Sequence, residues 1–258
     1  MSDKFFQAKA YLSYWLDAVD EHSLHSPFFF DFYTRVVKKN KNGTPLEKAE
    51  NLRTQLLNDH RVLKDADLGS GPSSTKRAIN LLARTSLSPM SLSSLYNDTI
   101  DFFKAKSVIE LGTSFGINTL YLASKKERSV TTFEGTSDVA EIAKLTFEFA
   151  QANNIELVQG NLDTTLRAYV QSIRKFDLAL MDANHRYEPT LRYFNMLMPK
   201  LQESSVVIVD DIHYSREMEK AWYELKNHKL VYGSADLFRC GFLFFDPSLN
   251  KQHVILQF

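Results

Sequence analysis

The chain has 258 residues, 44% of them hydrophobic and 24% charged, which excludes a disordered chain and leaves room for one large α/β domain with an appendage or for two modest domains. Its 31 basic and 31 acidic residues cancel, so net charge gives no electrostatic reason to expect nucleic acid as a partner. The single cysteine, Cys240, excludes an intramolecular disulfide and a cysteine-rich zinc site.

Asp3, Lys4 and Lys9 fit no secretory signal, and no apolar run reaches membrane-spanning length. The expectation is a soluble, cytoplasmic protein with no membrane partner. Phe5, Leu12, Trp15, Leu16 and Val19 recur at helical spacing and predict an amphipathic first helix ending near His22. Ser26 and Pro27 read as the cap and first residue of a second helix, whose Phe28, Phe29, Phe30, Phe32, Val36 and Val37 require burial. His22 and His25 have the spacing of a metal pair, but no third ligand is near in sequence, so they read as capping or packing residues. After a lysine loop, Thr44-Pro45-Leu46-Glu47 predicts a capping box and a third helix to about Leu63. Asp67 to Gly71 (D-L-G-S-G) imitates a nucleotide-binding turn, but the residues from Val62 to Asp67 are too charged for a buried strand. The segment reads as a loop, with a lid role left open, before a helix from about Thr75 capped by Ser73 or Ser74. Ser88 and Pro89 then cap a helix carrying Leu92, Leu95, Ile100, Phe102 and Phe103.

Val108, Ile109 and Leu111 form a short apolar run that Gly112 breaks; from Gly116 onward Ile117, Leu120 and Tyr121 recur at helical spacing. The reading is strand, glycine turn, helix, a geometry that can present backbone N–H groups to a polar ligand. G-x-x-x-G also serves plain packing of helix on strand. The next strand, from Val130 to Phe133, ends in Glu134 and Gly135, and an acid about 20 residues past such a turn is placed to accept from ribose hydroxyls. The rest alternates: helix 138–152, strand 155–158, helix 162–173, strand 176–181, helix 188–201, strand 206–209 and helix 216–227. Alternation means a parallel sheet covered by helices on both faces. Leu230 to Tyr232 and Phe242 to Phe245 have no helix between them and should pair antiparallel; the tail from Val254 to Phe258 is one more strand or a docking segment.

The motifs E-L-G-T-S-F-G, T-F-E-G, M-D-A-N-H and V-D-D resemble those of class I S-adenosylmethionine-dependent methyltransferases, nearest the group of catechol and caffeoyl-CoA O-methyltransferases, over about Asp101 to Phe245. The resemblance implies a doubly wound, mostly parallel seven-stranded sheet of order 3-2-1-4-5-7-6. It divides the chain into an N-terminal helical cap, 1–100, and a Rossmann-like methyltransferase domain, 101–258. It implies that S-adenosylmethionine is held by Glu110, Gly112, Thr113, Ser114, Gly116, Glu134, Gly135, Asn161, Leu162 and Asp182. Asn161 stands where the group usually has an acid for the adenine amino group, and Asp163 is the alternative.

Metal-dependent members bind a divalent cation with an aspartate after strand four and an Asp-Asn pair after strand five, which here implies magnesium or calcium on Asp182, Asp210 and Asp211. Carboxylates at a strand tip can equally serve as helix caps. Where those relatives carry a lysine beside the acceptor hydroxyl this chain has His185, a residue type able to take a proton near neutrality or merely to cap the next helix. The implied activity is methyl transfer to the hydroxyl of a small molecule, with Asp182 and His185 catalytic. A non-catalytic nucleoside-binding protein and a methyltransferase acting on a macromolecule stay open, as does a homodimer.

Overall fold

The computed structural model describes residues 3–64 and 76–258. The D-L-G-S-G segment and the expected helix caps Ser73 and Ser74 lie outside the described residues. The chain forms two compact units, residues 42–172 and residues 1–41 with 173–258, so the first hundred residues contribute to both.

In chain order, helices α1 (Asp3–Asp17) and α2 (Pro27–Phe32) begin the split unit, α2 running on through a wider turn at Tyr33–Val37. Unit 42–172 follows with α3 (Glu47–Leu57), the short strands β1 (Val62–Leu63) and β2 (Arg77–Ala78), α4 (Ile79–Ser86) and α5 (Met90–Phe103). It continues with β3 (Ser107–Leu111), α6 (Ile117–Leu122), β4 (Ser129–Glu134), α7 (Ser137–Ala150), β5 (Ile155–Gln159) and α8 (Leu162–Ser172). The chain then returns to the split unit with β6 (Leu178–Met181), α9 (Tyr187–Leu197), β7 (Val206–Asp210) and α10 (Arg216–Lys226). Three strands close it: β8 (Gly233–Asp236), β9 (Cys240–Phe244) and β10 (Gln252–Ile255).

In unit 42–172 the strands run β5-β4-β3 and pair in parallel, Leu111 opposite Phe133 and Glu134 opposite Gln159. Ala49, Leu52 and Leu56 of α3, Leu82 and Ala83 of α4, Ile117 and Leu120 of α6 and Val139, Ala143 and Phe147 of α7 form one buried cluster. The expected capping box is absent. α3 starts at Glu47 without a side-chain cap, because Thr44 is held elsewhere: its N–H donates to Ser94 Oγ at 2.8 Å and its carbonyl accepts from the same hydroxyl at 2.7 Å. α3 also stops before Leu63, which pairs with Arg77 in the β1–β2 ribbon.

In the split unit the strands run β6-β7-β9-β8-β10; β6–β7 and β8–β10 are parallel, and β9 is antiparallel to both its neighbours. The phenylalanine-rich α2 buries Phe29 and Phe32 here, where Phe28, Phe29 and Phe32 meet the Phe244 ring edge-on at centroid distances of 4.9, 5.9 and 5.5 Å, while Phe30, also expected to be buried, is 42% exposed. Gly241 lies under the Trp222 indole, where a Cβ would stand 2.5 Å from the ring. The architecture is α/β, and eight of the described strands, β3 to β10, are arranged mostly in parallel, apart from the β1–β2 ribbon. The expected runs 3-2-1 and 4-5-7-6 are both found, and β10 adds a strand beyond the expected seven. β8 lies at Gly233–Asp236 rather than at Leu230 to Tyr232.

Candidate active site

The turn after β3 is built by backbone conformation: Gly112 (φ 100°), Ser114 (φ 49°) and Gly116 (φ 83°) all lie in the left-handed region. At Gly116 a side chain is excluded twice, by that φ and by the Phe147 ring 2.5 Å from where a Cβ would be. The turn spends most of its donors on the neighbouring strand β4. The N–H groups of Gly112 and Thr113 reach the Phe133 carbonyl at 3.1 and 3.0 Å, and that of Gly116 reaches the Thr113 carbonyl at 2.9 Å.

Ser114 N–H instead meets the acidic tip of β4, donating to Glu134 Oε2 at 2.9 Å, while Thr136 N–H donates to Oε1 at 2.9 Å. Glu134 is 7% exposed, and burial raises its carboxyl above the usual range against the lowering effect of these N–H bonds. The Gly135 N–H and the Thr136 hydroxyl also donate to this carboxyl, so a ligand hydroxyl that binds there shares or displaces one of these bonds. Gly135 beside it is open, the nearest atom to a Cβ there being the Gly160 carbonyl at 3.9 Å.

Glu110 lies deeper, fully buried on β3. Its Oε2 accepts from the hydroxyls of Thr119 at 2.5 Å and Thr132 at 2.6 Å, and Oε1 has no partner. Burial pushes its carboxyl up to about 7. Thr113 and Thr132 share a hydroxyl contact of 2.6 Å that ties this carboxyl to the turn, and Ser86 meets Ser114 at 3.0 Å. Asn161 spends its amide oxygen on the Asp163 N–H at 2.9 Å, capping α8 ahead of Leu162. That local bond is a structural use of the residue expected to read a base.

The split unit holds the other expected residues at the ends of β6 and β7. Asp182 follows β6, and His185 Nε2 stands 3.4 Å from its Oδ1. Asn184 (φ 63°) and His185 (φ 31°) make the left-handed turn that folds the imidazole back, and Asn184 Nδ2 donates to the Tyr193 hydroxyl at 2.5 Å. His185 Nδ1 is buried without a hydrogen-bond partner. Asp210 is 2% exposed at the end of β7, and Asp211 (φ 52°) pairs with Arg239 Nε at 3.2 Å.

The expected metal set is not assembled. Among the described residues no group of three or more His, Cys, Asp or Glu is placed to hold a metal ion, and Asp211 already has a guanidinium beside it. Sequence reasoning missed Thr119, Thr132, Ser86 and Arg239. Arg239 in the β8–β9 hairpin carries no local signal of its partner. Thr132, two residues before Glu134 on the same strand, was the one with a readable position.

Residues 109–212 match the family model described as Methyltransferase domain. No curated protein matches the chain. The methyltransferase fold extends well beyond the matched segment in solved structures. An O-methyltransferase from Bacillus cereus in complex with SAH superposes with a TM-score of 0.61 at 14% identity, over 82% of this chain and 98% of that one. The O-methyltransferase TomG from Streptomyces achromogenes, involved in tomaymycin synthesis and in complex with SAM, gives 0.59 at 15% identity over 82% and 95%. SAH-bound PaMTH1 from Podospora anserina gives 0.55 at 13% identity over 78% and 97%. Among the described residues no helix is long and apolar enough to cross a membrane.

Proposed function

We propose that the protein transfers the methyl group of S-adenosylmethionine to a hydroxyl of a small molecule. The observation that carries the reading is the Ser114–Glu134 bond, which holds a buried carboxyl at the glycine turn, at the strand tip where an acid accepts from ribose hydroxyls. The relatives crystallised with SAM or SAH support the same cofactor. In this reading Glu134 takes the ribose, Gly112, Thr113, Ser114, Gly116 and Gly135 shape the cradle, Glu110 fixes the turn from below, and Asn161 with Leu162 borders the base.

The bound cofactor supplies a sulfonium methyl that is already electrophilic, so the protein has to align an acceptor and take its proton. We assign those tasks to the Asp182–His185 pair. Asp182 orients the imidazole through Nε2, and the acceptor hydroxyl supplies the donor that the Nδ1 position lacks. When bound, S-adenosylmethionine would supply the methyl to the acceptor oxygen and keep the carbon–sulfur electron pair on sulfur, and His185 would hold the proton that the hydroxyl gives up. Magnesium or calcium on Asp182, Asp210 and Asp211 does not fit the arrangement found, and no step is routed through it.

The test is transfer of labelled methyl from S-adenosylmethionine to a panel of hydroxylated small molecules, catechols included. Label in an ether product supports the reading. Tight cofactor binding with no transfer to any acceptor leaves a nucleoside-binding protein instead.

A further inference from the structure

The carboxylates at the tips of β6 and β7 meet a cation that the chain itself supplies. β6 pairs with β7 so that Met181 faces Val209, and β7 pairs with β9 so that Asp210 faces Cys240. Continued by one residue, these registers put Asp182 beside Asp210 and Arg239 beside Asp211, where Arg239 Nε meets Asp211 Oδ1 at 3.2 Å. The Arg239 backbone thus lies two strand spacings, about 10 Å, from that of Asp182. Carboxylates crowded in this way repel, and a guanidinium, charged at every working pH, offsets the repulsion at the place expected for a divalent cation. The arginine is held firmly. Asp211 (φ 52°) and Phe238 (φ 65°), the residue before Arg239, both take left-handed conformations that cost a non-glycine residue energy. Asp236 accepts from the Phe238 N–H at 2.9 Å and from the Trp222 indole N–H at 3.1 Å, and the Phe238 ring packs on His213, Tyr11 and Tyr14 at centroid distances of 5.4, 5.1 and 5.4 Å. With its backbone anchored, Arg239 keeps 46% of its side chain exposed, and an ion pair that open adds little to stability. Nε is the atom on Asp211, so the two terminal nitrogens carry the other four N–H donors. One turn links the pair to the base: the Tyr214 N–H donates to the Asp211 carbonyl at 2.9 Å, and the Tyr214 ring stands 6.1 Å from the His185 imidazole.

We infer that Arg239 is a catalytic residue, whose terminal N–H groups donate to the acceptor oxygen and stabilise the negative charge that develops there as the hydroxyl proton leaves for His185. The inference rests on the proposed transfer to a hydroxyl. Fixed donors aimed at developing charge need no rearrangement at the moment of reaction, which is why an anchored backbone and a left-handed turn on each side of the pair matter. Asp211 holds the guanidinium through Nε and so orients its planar fork, a task for which a lysine ammonium, a single point charge, is a poorer substitute.

The experiment uses 4-nitrophenol, whose phenolate is coloured, as a probe of the full chain with S-adenosylhomocysteine present. Wild type should bind the phenolate in preference to the phenol, so that the bound probe ionises about 1–3 pH units below the free one, the shift a neighbouring guanidinium gives an acid. Arg239→Met should abolish the shift, Arg239→Lys should keep part of it, and guanidinium ion added to Arg239→Ala should restore part of it. With an acceptor, Arg239→Met should lower kcat by about 10²–10³, as loss of one oxyanion donor does, with S-adenosylmethionine affinity unchanged and a deficit that grows as the acceptor hydroxyl becomes less acidic. Circular dichroism checks each variant, and if Arg239→Met does not fold, Arg239→Gln/Asp211→Asn, which removes both charges together, takes its place. A wild type with no preference for the phenolate, or a charge-free variant with the wild-type shift, would overturn the inference. Methyl transfer at the wild-type rate in Arg239→Met would overturn it too and leave the proposed reaction standing. Arg239-dependent phenolate binding without transfer to any acceptor would do the reverse, supporting the oxyanion site and removing the reaction.

Discussion

Ser114 donates its backbone N–H to Glu134 at 2.9 Å, so the glycine turn and the acidic tip of the next strand are fixed to each other before any ligand arrives. Ser114 holds a left-handed φ of 49° that costs a non-glycine residue about 1 kcal/mol, and the charge-assisted bond offsets it. Glu134→Ala removes the acceptor for the diol and for the backbone N–H groups of Ser114, Gly135 and Thr136. It should weaken S-adenosylmethionine by about 1–3 kcal/mol, the size of hydrogen bonds to a charged group. Titration calorimetry measures this, and an affinity equal to wild type would remove Glu134 from the site.

Glu110 sets a pH dependence of stability. Burial raises its carboxyl from 4.5 to about 7, with the neighbouring Glu134 charge adding to the rise and Thr119 and Thr132 opposing it. Between those two values the folded chain holds a proton that the unfolded chain has lost, so its contribution to stability falls as pH rises through the window. At full ionisation the penalty is on the order of 3 kcal/mol. Melting curves across that range should fall more steeply for wild type than for Glu110→Gln. Parallel curves would contradict the burial argument.

The glycine turn was legible because Val108, Ile109 and Leu111 supply an apolar run and Gly112 ends it, all within local sequence. β8 was misplaced for the opposite reason. Gly233-Ser-Ala-Asp236 has no apolar pattern and is a strand because β9 and β10 flank it, whereas the apolar Leu230 is 40% exposed. The failure of the Thr44 capping box has the same origin, since Ser94, fifty residues away, outbids the local cap. In the site, single residues at strand tips could be named from sequence. The Arg239 partner of Asp211, which decides what that carboxylate is available for, could not.

Gly116→Ala should be destabilising by about 1–3 kcal/mol, because its Cβ meets Phe147 at 2.5 Å and its φ is 83°. Chemical denaturation measures the loss. Gly116→Ala combined with Phe147→Leu should recover the steric part and leave the backbone part. A single variant as stable as wild type would show that the turn yields without cost.

Asp211 is held by Arg239 and no group of three or more ligating side chains is placed to hold a metal among the described residues, so methyl transfer should survive a strong chelator and gain nothing from added magnesium. Loss of activity on chelation and its return with magnesium would restore the cation to Asp182, Asp210 and Asp211.

His185→Ala should lower kcat by about 10²–10⁴, the range of general-base catalysis, while leaving S-adenosylmethionine affinity unchanged. Asp182→Asn should show a smaller loss, because the imidazole remains and only its orientation is weakened. Turnover of His185→Ala equal to wild type would reduce the residue to a turn-former beside α9.

The most direct measurement is calorimetric titration of the full chain with S-adenosylmethionine and, separately, with NAD. The account predicts saturable one-to-one binding of S-adenosylmethionine, weakened in Glu134→Ala, and no heat with NAD. Absence of S-adenosylmethionine binding, or binding of NAD at the same Glu134-dependent site, would contradict it.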